Sequence, residues 1–327
     1  MLHNPAGQPG VMTLTGLYVP LITPFDSTGA VAPTALEPLA HRLLDDGATG
    51  LVALGTTGEP GALDGPERRL VVDLAARVCR ERGAPLLVGA NTPEELAALA
   101  GRPEVAAALC VVPPFTRPGQ DAVLAHFARL ASASPVPLVA YDVPYRTGQY
   151  LSAGTLRRLA AVPGVVGLKY APGGINADTV ALFADPPAGF ALLGGDDPFI
   201  APLLALGAQG GILASAHLAT TEFAALIRAW HEGDVATARP LGRRLATLST
   251  ALFAEPNPTV IKAVLHARGH LPTAAVRPPL LPAAAGTVEE ALHRLDELSA
   301  LTNCPARTRR SAPARIGGQD ELDHDTV

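Results

Sequence analysis

Aromatic residues make up only 4% of the chain, with a single tryptophan, so whatever core it builds is aliphatic. Cysteine is as scarce: Cys79, Cys110 and Cys304 are three thiols scattered over 327 residues. That count and spacing exclude a disulfide framework and a thiolate metal site, and a reducing, cytoplasmic compartment is the default. No apolar run approaches the roughly 20 residues that a membrane-spanning helix needs. The stretch from Met1 to Met12 lacks the charged-then-apolar pattern of an export signal. A soluble protein is expected, with no membrane partner. The formal net charge is only -5, and no basic stripe runs through the apolar-rich part, which argues against nucleic acid as a partner.

What is present is a strict alternation. Short apolar runs lie near Leu17–Ile22, Leu51–Leu54, Leu86–Val88, Leu109–Val112, Leu138–Ala140, Val165–Leu168, Ala191–Leu193 and Gly211–Leu213. Between them lie Ala/Leu-rich amphipathic stretches near Pro33–Asp46, Pro66–Arg82, Pro93–Ala100, Gln120–Ala133, Ser152–Ala160, Asn176–Ala184, Pro198–Leu206 and Ala219–His231. Pro33, Pro66, Pro93 and Pro198 sit just inside helix starts, where a missing N–H costs nothing. Asn91-Thr92 and Asp196-Asp197 supply capping chemistry ahead of two of them. Eight strand–helix units predict an α/β fold, a parallel sheet closed into a (β/α)8 TIM barrel. An open doubly wound sheet is the rival, but no G-x-G-x-x-G follows the first strand. The third helix reads as short. After His231 the strand signal stops, and Ala236–Phe253, Pro258–Arg268 and Thr287–Leu298 read as a C-terminal helical extension. The expected organisation is an N-terminal tail (1–13), a barrel (14–232), a helical extension (233–302) and a polar, disordered tail (303–327).

Barrels of this kind carry their active site at the C-terminal ends of the strands. Four segments fall there: Gly55-Thr56-Thr57-Gly58-Glu59, Tyr141–Gly148, Lys169, and Gly194-Gly195-Asp196-Asp197. A lysine directly after a buried strand is the sharpest signal. An apolar rim disfavours its ammonium form and frees the amine to attack a ketone. The protonated imine that follows is an electron sink for making or breaking a C–C bond. The bland reading is a lysine that snorkels to the rim or pairs with a carboxylate. The Thr56-Thr57 pair between glycines offers hydroxyls and approachable amides that suit a carboxylate, or it is simply a tight turn. Tyr141 is placed for general acid/base work, or it merely packs. Arg146 is placed for a bidentate grip on a second carboxylate, or it makes a surface ion pair. The nine histidines put no H-x-x-x-H pair near this end of the barrel, so no metal is expected.

With these motifs in place, the chain resembles the dihydrodipicolinate synthase and N-acetylneuraminate lyase family of pyruvate-dependent class I aldolases, from about Gly16 to Leu298. Gly55–Glu59 matches GTTGE, and Tyr141–Thr147 matches YNVPxRT, with Asp142 where Asn is usual. Gly167-Leu168-Lys169 matches the strand with the Schiff-base lysine, and Gly195-Asp196-Asp197 matches GDD. Glu255–Pro258, Lys262 and Arg277-Pro278-Pro279 match the C-terminal region. The resemblance implies that Lys169 forms an imine with pyruvate and that Tyr141 shuttles protons, linked to Thr56 in a hydroxyl relay. It implies that Thr57, Gly55 and neighbouring backbone amides hold the pyruvate carboxylate, with a backbone group of Ile212. Arg146 resembles the synthase branch, where it binds the carboxylate of aspartate semialdehyde to make 4-hydroxy-tetrahydrodipicolinate. No cofactor is implied beyond the covalent imine on Lys169. A homo-oligomer, a dimer of dimers, is the expected assembly.

Three departures stand out. Phe115 occupies the place of a tyrosine whose hydroxyl completes the relay in a neighbouring subunit. The segment Asn91–Arg102 is shorter than usual. Gly65 and Arg68 stand where lysine-inhibited synthases often carry histidines, so free lysine is expected not to inhibit. The alternatives that these departures keep open are an aldolase or dehydratase of another 2-oxo acid, such as a 2-keto-3-deoxy sugar acid or N-acetylneuraminate. A catalytically weak paralogue that only binds a 2-oxo acid is the alternative of a different class.

Overall fold

Eight short strands pair in parallel, each with its successor, and the last pairs back to the first to close a barrel. The computed structural model describes residues 14–302. In chain order the elements are β1 (Gly16–Pro20), α1 (Pro33–Asp45), β2 (Gly50–Ala53), α2 (Gly65–Arg82), β3 (Leu86–Gly89), α3 (Pro93–Ala97), β4 (Val105–Val111), α4 (Gln120–Ala133), β5 (Leu138–Asp142), α5 (Pro144–Thr147), α6 (Ala153–Ala160), β6 (Val165–Tyr170), α7 (Ala177–Ala184), β7 (Ala191–Gly194), α8 (Ile200–Ala205), β8 (Gly210–Ile212) and α9 (Ala216–His231). Three more helices follow: α10 (Val235–Leu252), α11 (Thr259–Ala267) and α12 (Ala285–Thr302). They pack on one another and on α8 and α9. The expected tails at 1–13 and 303–327, and Cys304, lie outside the described residues.

Strand side chains alternate between two cores, because successive Cβ atoms point to opposite faces. The larger core lies between the sheet and the helices and takes Leu138 and Ala140 of β5 and Leu168 and Tyr170 of β6. The smaller fills the barrel and takes Val139 and Tyr141 of β5, with Val52, Leu87, Leu193 and Ile212. Few of these side chains are aromatic, as the composition dictates.

Several helix starts are set by capping side chains. Thr92 caps α3 by accepting from the Glu95 N–H at 3.2 Å. Asp64 and Glu67 form a capping box at α2. One expected cap fails. Asp196 and Asp197 make no side-chain cap at α8, and a 3-10 turn over Asp197–Phe199 precedes that helix. Their carboxylates are taken by other loops: Asp196 accepts from the Gly173 N–H at 2.6 Å and Asp197 from the Ser215 N–H at 2.5 Å. A short helix that the apolar pattern did not reveal, α5, follows Asp142; Pro144 opens it and Gly148, at φ +73°, ends it.

Candidate active site

Lys169 is the penultimate residue of β6, which runs two residues past the apolar segment that announced it. Its neighbours Leu168 and Tyr170 face the helix layer, so alternation turns Lys169 inward. It is 6% exposed. Gly195 makes room for its stem, because a Cβ there would stand 2.8 Å from the Lys169 Cγ and 2.9 Å from its Cε. Burial lowers the pKa of the ammonium to about 8, against the pull of the Asp197 and Asp196 carboxylates. A neutral, nucleophilic amine is therefore within reach near physiological pH.

Tyr141 is the register partner of Lys169 on β5, and the Lys169 Nζ lies 4.3 Å from the centre of its ring. Burial raises the phenol to about 12; Arg146 and a hydrogen bond with the Thr56 side chain act in the opposite direction. Thr56 itself is exposed, whereas Tyr141 is buried. Thr57, by contrast, is buried. The loop that carries both threonines is held in a demanding shape, with Leu54 at φ +54° and Glu59 at φ +52°. Left-handed non-glycine residues cluster where a site over-determines the backbone.

An open cleft of about 280 Å³ lies at this end of the barrel, with Gly55, Thr56, Tyr141, Arg146 and Phe115 among its walls. Lys169, Thr57 and Ile212 are not among them. Ile212 is fully buried in the barrel core, in the cluster that also holds Tyr141 and Leu193. Arg146 is exposed and makes no ion pair among the described residues. Its guanidinium carbon stands 5.7 Å from the Tyr145 ring. It is thus a free cation at the mouth, suited to an incoming carboxylate. Phe115 is 88% exposed and sits at φ +68°.

The helical extension reaches into this site, which residue-type reasoning alone did not anticipate. Asn257 Nδ2 donates to the Thr57 Oγ1 at 2.9 Å. The fully buried Lys262 donates to the Glu59 Oε1 at 2.8 Å and to the Thr23 carbonyl at 2.9 Å, and lies 4.1 Å from the Phe25 ring centre. The backbone N–H of Arg277 donates to the other Glu59 oxygen at 2.9 Å. These contacts fix the far end of the Gly55–Glu59 loop. The run Glu255–Pro258 with Lys262 was visible as a motif, but its role needed the fold.

Asp142 carries a second surprise. It is 1% exposed, its Oδ1 has no hydrogen-bond partner among the described residues, and burial, reinforced by Asp196, raises its pKa to about 7. Asp196 is also raised by burial, against its bond from Gly173.

Comparison with known proteins bears on this arrangement. The dihydrodipicolinate synthetase family matches residues 13–297. A 4-hydroxy-tetrahydrodipicolinate synthase of Neisseria meningitidis serogroup B is 36% identical over 274 residues, 82% of this chain and 93% of that protein. One from Synechococcus elongatus is 37% identical over 290 residues, 86% of this chain and 95% of that protein. Among solved structures, the chloride-inhibited dihydrodipicolinate synthase of Acinetobacter baumannii in complex with pyruvate superposes with a TM-score of 0.82. It is 32% identical and covers 88% of this chain and 99% of its own.

Proposed function

The chain belongs to the dihydrodipicolinate synthetase family, and from that membership we propose that it is a 4-hydroxy-tetrahydrodipicolinate synthase working through an imine on Lys169. The observation that carries the mechanism is the pairing of Lys169 with Tyr141: a buried amine of lowered pKa set 4.3 Å from the ring of a buried phenol on the neighbouring strand.

The Lys169 amine attacks the ketone carbon of pyruvate. The carbinolamine loses its oxygen as water, which needs a proton delivered to that oxygen. Tyr141, whose phenol is acted on by the Thr56 side chain, would deliver it. The protonated imine then gives up a methyl proton and becomes an enamine. The enamine carbon attacks the aldehyde of aspartate semialdehyde, and the new alkoxide takes a proton from the same relay. The amino group of the second substrate displaces Lys169 from the imine carbon, closes the ring and frees the enzyme. One water leaves per pair of substrates. Arg146 supports the second substrate's carboxylate, while Thr57 and the amides from Gly55 onward support the carboxylate of pyruvate. Ile212, whose side chain is buried in the barrel interior, would add a backbone group to the same carboxylate. The electron sink is the lysine imine, so the reaction needs no cofactor.

Phe115 brings no hydroxyl to the cleft, so the proposed relay is limited to Tyr141 and Thr56, which line it. Its 88% exposure, with Tyr145 and Tyr150 also exposed, supports a homo-oligomer; the dimer of dimers comes from the family resemblance. No helix among the described residues is long and apolar enough to cross a membrane. The two described thiols, Cys79 and Cys110, are buried and free, which supports a reducing, cytoplasmic setting.

The test supplies pyruvate and aspartate semialdehyde and follows products by mass spectrometry. A product of the combined mass less one water is expected. Turnover of pyruvate only with aldehydes that lack an amino group would move the assignment to another 2-oxo acid aldolase.

A further inference from the structure

We propose that Asn257 is a positioning residue for this reaction: its amide fixes the Thr57 hydroxyl so that the hydroxyl proton is directed to the carboxylate of the 2-oxo acid. The inference rests on the function proposed above and adds to it a group from outside the barrel.

The argument is one of hydrogen-bond accounting. A threonine hydroxyl has one proton to give and two lone pairs to receive. Asn257 Nδ2 donates to the Thr57 oxygen at 2.9 Å, which fills one lone pair. Thr57 is 3% exposed, and none of the described residues accepts its proton. The proton is therefore committed neither to the protein nor to bulk solvent. A carboxylate, which only accepts, is the natural complement. An unrestrained hydroxyl would rotate among staggered positions and lose part of that direction.

Among the described residues, nothing else bonds the Asn257 side chain. Its Oδ1 is buried and unpartnered among the described residues, so the side chain's bond to Thr57 is not a by-product of a wider network. The bond also spans the molecule, joining residues 200 apart in sequence. It joins the turn between α10 and α11 to the loop after β2. The turn is anchored next to Lys262, whose bond to Glu59 holds the other end of that same loop. The helical extension thus grips the threonine loop at two points, one at the Thr57 hydroxyl and one at the carboxylate of Glu59.

The test is a double-mutant cycle read by pyruvate half-saturation, measured as borohydride-trapped adduct against pyruvate concentration, so that no second substrate is needed. Asn257→Ala is expected to raise half-saturation about three- to tenfold, the worth of one net hydrogen bond, with the adduct yield at saturation unchanged. In a Thr57→Val background the same substitution is expected to do nothing further. Asn257→Asp offers an acceptor in place of the donor, draws the Thr57 proton away from the substrate, and is expected to raise half-saturation at least as far. If Asn257→Ala fails to fold, Asn257→Ser takes its place in the cycle. An equal loss with and without the Thr57 hydroxyl, or no loss at all, overturns the inference. A wild-type protein that forms no adduct overturns the proposed function instead, and this inference falls with it.

Discussion

Tyr141 and Lys169 face each other across β5 and β6 as register partners, and the lysine amine stands 4.3 Å from the centre of the tyrosine ring. The electron-rich face of the ring offsets part of the cost of burying the ammonium. The same strand pairing points the phenol and the amine into one barrel mouth. The proposed nucleophile and its proposed proton carrier are thereby brought together by backbone register, before any loop is considered.

The lowered pKa of Lys169 gives a direct pH dependence. The free amine fraction grows as pH rises through about 8, and only the free amine attacks. The rate of adduct formation at low pyruvate should rise about tenfold per pH unit below 8 and level off above it. The same burial costs stability. The unfolded lysine keeps its proton to about 10.4, whereas the folded one loses it near 8, so the cost is fully present below 8 and gone above the unfolded value. Lys169→Met should therefore raise unfolding stability at pH 7 by on the order of 3 kcal/mol while abolishing the adduct. Urea melts of both proteins check this.

Tyr141→Phe removes the phenol but keeps the ring against the amine. Turnover should fall by about 10²–10⁴-fold, with the fold intact. Borohydride should still trap an adduct, formed more slowly. A wild-type turnover in this variant would remove Tyr141 from the relay.

Lys262 and Glu59 form a buried ion pair that locks the threonine loop to the extension. Lys262→Ala leaves a buried carboxylate without its partner and should cost about 3–5 kcal/mol of stability. It should also weaken pyruvate binding, since Glu59 closes the loop that carries Thr56 and Thr57. Chemical denaturation with half-saturation measured on the surviving fold separates the two effects.

Asp142 titrates near 7 when folded and near 4 when unfolded, so the folded chain holds its proton more tightly. Stability is therefore lost as pH rises from about 4 to 7, and the loss persists above that. Asp142→Asn should stabilise the protein by on the order of 2–4 kcal/mol at pH 8 and have little effect at pH 4. Melting curves at the two pH values test it.

Much of this was legible in the sequence because β-strands and barrels are local in their logic. Eight apolar runs with helices between them left one closed topology, and all eight strands stand within a few residues of where they read. Lys169 and Tyr141 were legible because each ends a buried run. The fate of Asp196 and Asp197 was not, because helix capping and bonds to the distant Gly173 and Ser215 use the same acidic residues. The partners of Asn257 and Lys262, though not the motif that contains them, were hidden for a similar reason. Their partners lie 200 and 203 residues away, and no spacing rule connects them. The orphaned oxygen of Asp142 needed the packing around it to be seen.

The central claim is that Lys169 carries the chemistry. The most direct measurement incubates the protein with pyruvate, reduces it with sodium borohydride and maps the mass by peptide. A reduced pyruvate adduct on Lys169, absent in Lys169→Ala, is predicted. A folded wild-type protein that carries no adduct, or carries it equally in Lys169→Ala, would contradict the account.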